Sequence, residues 1–379
     1  MKKIISLLLA MVMVFGLTAC GAKNEAPATE APAAPAETAA PATEATPETR
    51  VVVDIQGREV EIPYVVEKVA AIGSAGRMLT YAGCADKIVG CNDLEKEGNP
   101  DMPYAYVNKN HFANCTSISS GGSGDTLYEE ALVMLDCDLI FYFGVDADTL
   151  NDLQNKMGVP VVGLYASNFD SEDFIQTLRI VGEVMGTEEH VENVVSSIQG
   201  WIADLNDRTK DIPDEDKPTV YTGALGFRGP HGFEGTSANF APFMAVNAKN
   251  VADETGEKGT FLVDLEKVSV WDPEFIFLNP GSMYLVNEDY AVNAAFYENL
   301  TAVQEGKLYT MVPYNYNWSN MEIAIADAYY VGTVIYPDAF ADVDFNAKAE
   351  EIFNVMLGQN YLSVLDESGN GFGTLTIGE

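Results

Sequence analysis

Arg77 and Arg228 stand out in a chain poor in arginine, because each lies beside glycine on a loop that follows a short apolar run. A guanidinium is planar, permanently charged and presents forked donors, so two of them facing one space suit a broad anionic ligand. Phe227 and Phe233 flank Arg228, and Tyr284 and the run Tyr314, Asn315, Tyr316, Asn317, Trp318 and Asn320 add aromatic faces and amide groups. His231 shares the glycine-rich loop of Arg228, while Ser74, Asn92 and Tyr142 fall at the ends of apolar runs in the first half. These are groups for binding rather than for bond making. No Gly-x-Ser-x-Gly elbow occurs, Gly121-Gly122-Ser123-Gly124-Asp125 lacks the final glycine, and 3 histidines are the whole supply of imidazole. The same scarcity argues against a bare zinc or manganese site, so neither catalysis nor a resident metal or cofactor is expected.

The ends of the chain bound the scaffold that must carry those residues. Residues 4–15 form an apolar run behind Lys2 and Lys3, too short for a hydrocarbon core that takes roughly 20 residues, and residues 1–20 read as a signal peptide. Leu17, Thr18, Ala19 and Cys20, followed by Gly21, have the pattern of bacterial lipoproteins. Cleavage before Cys20 and lipidation of its thiol would anchor the protein at the cell membrane on the extracytoplasmic face. Residues 21–50 are mostly Ala, Pro, Glu and Thr with almost nothing large and apolar to bury, and read as a disordered tether. Cys84, Cys91, Cys115 and Cys137 remain; none has CxxC spacing, and buried free thiols and one disulfide both fit.

The rest of the chain is long enough for two lobes of ordinary size. A net charge of −36, from 57 acidic and 21 basic residues, is spread along it and excludes nucleic acid as a partner, since phosphate would be repelled. Alternation at 51–55 and 59–62 around Gln56 and Gly57 predicts an opening hairpin. Short apolar runs at 69–72, 87–89, 139–143 and 159–164 then alternate with helical stretches, the sign of a parallel α/β lobe over 51–186. Over 187–209, Val191, Val194, Val195, Ile198, Trp201, Ile202 and Leu205 recur at steps of three and four, predicting a long amphipathic interlobe helix capped by Thr187. Residues 210–379 repeat the plan, with strands at 219–222, 275–278 and 308–311 and helices at 321–335 and 347–357. Ligands of parallel α/β lobes gather at the carboxyl ends of strands, where the loops of Arg77 and Arg228 fall.

One segment echoes another. Glu130-Ala-Leu-Val-Met-Leu-Asp-Cys-Asp138-Leu-Ile-Phe matches Glu266-Lys-Val-Ser-Val-Trp-Asp-Pro-Glu274-Phe-Ile-Phe as a glutamate-led turn of helix, an acidic turn and a buried strand. With the opening Val53-Asp54-Ile55-Gln56-Gly57-Arg58-Glu59-Val60, the turn Ala71-Ile72-Gly73-Ser74-Ala75-Gly76-Arg77, and residues 250–253 and 314–318, these segments resemble the substrate-binding lipoproteins of ABC importers. The likeness is to the group that captures iron-siderophore complexes, heme and cobalamin.

That resemblance implies two Rossmann-like lobes joined by a single long helix, with the ligand cleft between them. It implies a lipid-anchored monomer that hands a metal-chelate to an ABC permease, with Glu130 and Glu266 meeting arginines of that permease. Exposed carboxylates can form bidentate, charge-assisted hydrogen bonds with arginine. Where the family has Pro-Asp before the strand, this chain has Cys137-Asp138 and Pro273-Glu274. The same receptor could carry heme or a corrinoid, with His231 or a cleft tyrosine as axial ligand, or molybdate or tungstate in a tight polar pocket. A surface adhesin or an extracellular hydrolase agrees less well with these residues.

Overall fold

Val69, Ala70, Ala71 and Ile72 are buried on both faces, as strands are when helices cover both sides of a sheet. The protein is described by a computed structural model over residues 48–122 and 124–378. The signal peptide, Cys20 and nearly all of the 21–50 tether lie outside the described residues.

The opening hairpin pairs β1 (Thr49–Val53) with β2 (Glu59–Pro63), antiparallel, with Val51 opposite Glu61. Five parallel strands follow: β3 (Val69–Ile72), β4 (Ile88–Asn92), β5 (Thr116–Ser119), β6 (Leu139–Phe143) and β7 (Val161–Leu164), in the order β5-β4-β3-β6-β7. Beyond the helix Glu188–Thr209 come β8 (Thr219–Gly223), β9 (Gly235–Ala238), β10 (Lys249–Asn250), β11 (Gly259–Leu262), β12 (Phe275–Leu278) and β13 (Leu308–Thr310). The order β10-β8-β12-β13 makes a second parallel sheet, and β9 pairs with β11 as a separate antiparallel ribbon. The chain is therefore α/β with two lobes. In each sheet the first strand sits where the order reverses, β3 between β4 and β6 and β8 between β10 and β12, and that strand's carboxyl end is where ligands of open α/β sheets gather.

The echoed segments occupy equivalent places. The helix Glu129–Met134 precedes β6 and the helix Leu265–Trp271 precedes β12. Asp138 accepts hydrogen bonds from Glu67 N and Lys68 N at 2.8 and 2.9 Å, just before β3. Glu274 accepts one from Thr219 N at 3.3 Å at the start of β8. In each lobe, then, the acidic residue ahead of one strand holds the entry to its neighbour.

Thr187 stands at the start of the 188–209 helix but does not cap it through its side chain. Its backbone, at φ −115° and ψ 27°, is not extended, and Thr187 Oγ1 is buried without a partner. Glu188 and Glu189 in the first turn still favour the helix dipole.

One hydrophobic core runs through both lobes, from Val52 and Val60 to Met356 and Leu365. The helix Met321–Ile335 packs on the helices Glu188–Thr209 and Phe345–Leu357, and the latter also touches Ala75–Tyr81 of the first lobe. Further on, Tyr361 Oη donates to Pro100 O at 2.9 Å and Asn370 Nδ2 donates to Asp101 Oδ1 at 2.7 Å. The last part of the 210–379 segment thus also packs on the first lobe. Cys84, Cys91, Cys115 and Cys137 are free thiols.

Candidate functional site

The chain leaves β8 through a strained turn, with Ala224 at φ 59° and Arg228 at φ 54°. Tyr221 Oη donates to Phe233 O at 2.6 Å beneath it, and Leu225 N donates to Gly235 O at 3.0 Å where the chain returns. The turn leaves Arg228 exposed with Phe227 half-buried beside it. Among the described residues, Arg228 makes no hydrogen bond or ion pair. A second loop, after β13, carries Tyr314, Tyr316, Asn317 and Trp318, the last two at φ 48° and 70°.

These two loops face one cavity of about 980 Å³. Phe227, Arg228, Tyr314, Tyr316 and Trp318, all expected from the sequence, line it together with Phe240. Asn279 and Ser282 after β12, and Asn315, Asn317 and Asn370, give its polar side. The first lobe adds Asp101, Gly122 and Gly124. Burial raises the pKa of Asp101, and the hydrogen bond from Asn370 opposes that shift. No cluster of three or more His, Cys, Asp or Glu able to hold a metal ion occurs among the described residues.

The remaining residues expected to face a ligand lie elsewhere. Arg77 and Ser74 are fully buried and bond to the loop after β13 from behind. Asn92 is also fully buried, because it caps the next helix by accepting from Glu95 N at 3.0 Å while its Nδ2 donates to Gly73 O at 3.0 Å. Phe233 sits in the core of the second lobe, with Phe296 and Tyr297 packed on its ring. The His231 ring lies tilted against Phe227, centres 4.4 Å apart, with Nε2 3.0 Å from Phe227 O, so it props that ring and does not line the cavity. Tyr142 packs against the outer core cluster of the first lobe, and Tyr284 is 52% exposed on the helix Met283–Glu298, outside the cavity lining.

Asp101, Phe240, Asn279, Ser282 and Asn370 are among the cavity residues that sequence reasoning missed. Asn279 follows β12 directly, so the strand-end rule that found Arg228 could have found it too. Asn370 gives no such signal, as it reaches the cavity only because the chain's last segment folds back on the first lobe.

Glu130 and Glu266 are both exposed, each on a short helix whose later turn leaves apolar side chains in solvent. Val133 and Met134 are 62% and 83% exposed, and Val270 is 83% exposed.

Comparison with known proteins places this architecture. A periplasmic solute-binding protein from Veillonella parvula has a TM-score of 0.68 at 18% identity, covering 85% of this chain and 98% of that one. The TroA-like periplasmic binding protein FepB from Veillonella parvula gives 0.65 at 19%, over 86% and 99%. The molybdate periplasmic binding protein MolA of Haemophilus influenzae, bound to molybdate, gives 0.61 at 17%, over 82% and 99%. These likenesses are of fold. No curated protein matches the sequence. Residues 65–314 match the family described as periplasmic binding protein, so the chain belongs to that family, the solute-binding proteins of ABC transporters.

Proposed function

We propose that this protein is a lipid-anchored receptor, tethered through Cys20, that captures a metal-chelate of the ferric-siderophore type and presents it to an ABC permease through Glu130 and Glu266. The observation that carries the choice of ligand is the cavity itself: about 980 Å³, walled by Phe227, Phe240, Tyr314, Tyr316 and Trp318, with Arg228 at its edge. That volume is at the upper end of small-molecule sites and far exceeds what a tetrahedral oxyanion fills. Aromatic faces and one free guanidinium suit a broad, anionic, partly aromatic complex. Among the described residues the wall offers no set of ligands for a bare ion, which favours a metal that arrives already chelated. Heme or a corrinoid is the second choice; His231, engaged with Phe227, is poorly placed as an axial ligand, which leaves Tyr314 and Tyr316. FepB, a TroA-like protein, and MolA, a molybdate binder, are consistent with the receptor role but do not choose the ligand.

Tryptophan-fluorescence titration tests this reading, since Trp318 lines the cavity. Ferric tris-catecholate should quench emission saturably, heme and cobalamin weakly, and molybdate not at all. Saturable binding of molybdate alone, or no response to any iron complex, would reject the siderophore choice.

A further inference from the structure

The loop after β13 belongs to the second lobe by sequence, yet the first lobe holds it. Asn317 is the centre of that hold. Its carbonyl accepts from Ser74 Oγ at 2.9 Å and from Arg77 Nη2 at 2.8 Å, its Oδ1 accepts from Gly122 N at 3.2 Å, and its Nδ2 donates to Tyr104 Oη at 3.3 Å. Arg77 Nη2 also donates to Tyr316 O at 3.2 Å, and its Nε donates to Asn320 Oδ1 at 3.2 Å. Asn320 in turn donates to Asp101 O at 3.0 Å. The guanidinium lies 4.5 Å from the centre of the Tyr104 ring, and Tyr104 Oη donates to Glu95 Oε1 at 3.0 Å.

Trp318 completes the contact. Its ring meets Phe143 edge-on at 5.2 Å and lies over Gly144, where a Cβ would come within 2.8 Å of Trp318 Cζ2. Left-handed backbone at two successive non-glycine residues, Asn317 and Trp318, persists only where the surroundings hold it. These same residues, with Tyr316, are cavity wall.

We propose that Arg77 is a positioning residue for ligand capture: without touching ligand, it fixes Tyr316, Asn317 and Trp318 in their binding conformation before the ligand arrives. This rests on the cavity being the ligand site. A wall already ordered loses little freedom on binding, whereas a loosened one is competent only part of the time and binds correspondingly more weakly.

The test uses the mature chain with Trp201→Phe and Trp271→Phe, so that Trp318 alone emits. Without ligand, Arg77→Met should shift Trp318 emission to the red and raise its quenching by acrylamide. Arg77→Lys, which keeps the charge and one donor direction, should restore part of the difference. Ser74→Ala removes a single bond to Asn317 O and should move both readings the same way by less; it also decides the matter if Arg77→Met does not fold. Arg208→Met, which breaks ion pairs to Asp204 and Asp342, should lower stability and leave Trp318 unchanged. With ferric tris-catecholate as probe, Arg77→Met should weaken binding about tenfold, the scale of a lost hydrogen bond to a charged group. Emission and quenching equal to the parent in both Arg77→Met and Ser74→Ala, or an equal shift in Arg208→Met, would overturn the proposal. If the parent does not bind the probe, the ligand assignment fails, while the ligand-free readings still decide the role of Arg77.

Discussion

Arg77 follows the first strand of the first sheet and Arg228 follows the first strand of the second, yet the two guanidinium groups sit in opposite surroundings. Arg77 is 0% exposed and bonded to two carbonyls and an amide of the other lobe, while Arg228 is exposed and makes no ion pair or hydrogen bond with a described residue. Their partners account for the difference. Helix begins one residue after Ser74, so Arg77 lies on an ordered turn that points into the seam, whereas the chain after β8 runs through a left-handed loop before it pairs as β9. Equivalent strand ends therefore support different tasks. The first lobe supplies a latch and the second supplies most of the face that meets solvent in the cavity.

The largest expected effect comes from exchanging that pair. Arg77→Met should lower unfolding stability by about 3–5 kcal/mol, because it strands three acceptors in the seam, Tyr316 O, Asn317 O and Asn320 Oδ1. Arg228→Gln should stay within about 0.5 kcal/mol of the parent in the same urea titration. For ligand the direct term reverses: Arg228→Gln should weaken an anionic chelate by about 1.5–3 kcal/mol, with a reduced dependence on salt. Equal stability losses for the two variants would erase the distinction between latch and face.

The helices that carry Glu130 and Glu266 compare the lobes on the outside, where symmetry is retained. Removing one partner of a desolvated charge pair costs about 2–5 kcal/mol, so Glu130→Ala with Glu266→Ala should abolish import into whole cells while leaving ligand affinity in solution intact. The single variants should lose import by similar factors if both lobes engage the permease alike. Lost ligand affinity would mean that these glutamates serve the cleft instead.

Much of this architecture was legible because its signals are local. The alternation of 59–62, the buried run at 139–143 and the three-and-four spacing from Val191 to Leu205 each correspond to an element at nearly the expected place. Strand ends located the loops of the cavity as well, and Phe227, Arg228, Tyr314, Tyr316 and Trp318 do line it. What sequence cannot show is which way a loop residue turns once two lobes meet. Arg77, Ser74 and Asn92 have the residue types of a binding site, but the seam of the lobes covers the first two and a helix cap uses the third. Phe233 and His231 differ from Phe227 only in where the loop reverses, which depends on left-handed residues at 224 and 228 that are not glycine.

Per pH unit, the smallest expected effect lies under Arg77, at a buried carboxyl. Burial pushes Glu95 up to about 8 from its ordinary 4.5, against the pull of Tyr104, Asn92 N and Arg77 and with some help from Cys115. Below pH 4.5 both the folded and the unfolded chain hold this proton. Between 4.5 and 8 the unfolded chain releases it while the folded chain keeps it, so the contribution to stability falls as pH rises through that window and levels off above it. Glu322 and Asp327 are raised by burial in the same sense, so the parent should show a slope even without Glu95. Glu95→Gln mimics the protonated acid and should remove only its share, at most about 1.4 kcal/mol per pH unit, while changing stability little at pH 5. Urea midpoints from pH 5 to 8 read the difference directly. A variant slope as steep as the parent's would mean that Glu95 is ionised beside Arg77, making the latch a buried ion pair rather than a cation held mainly by carbonyls and a tyrosine ring.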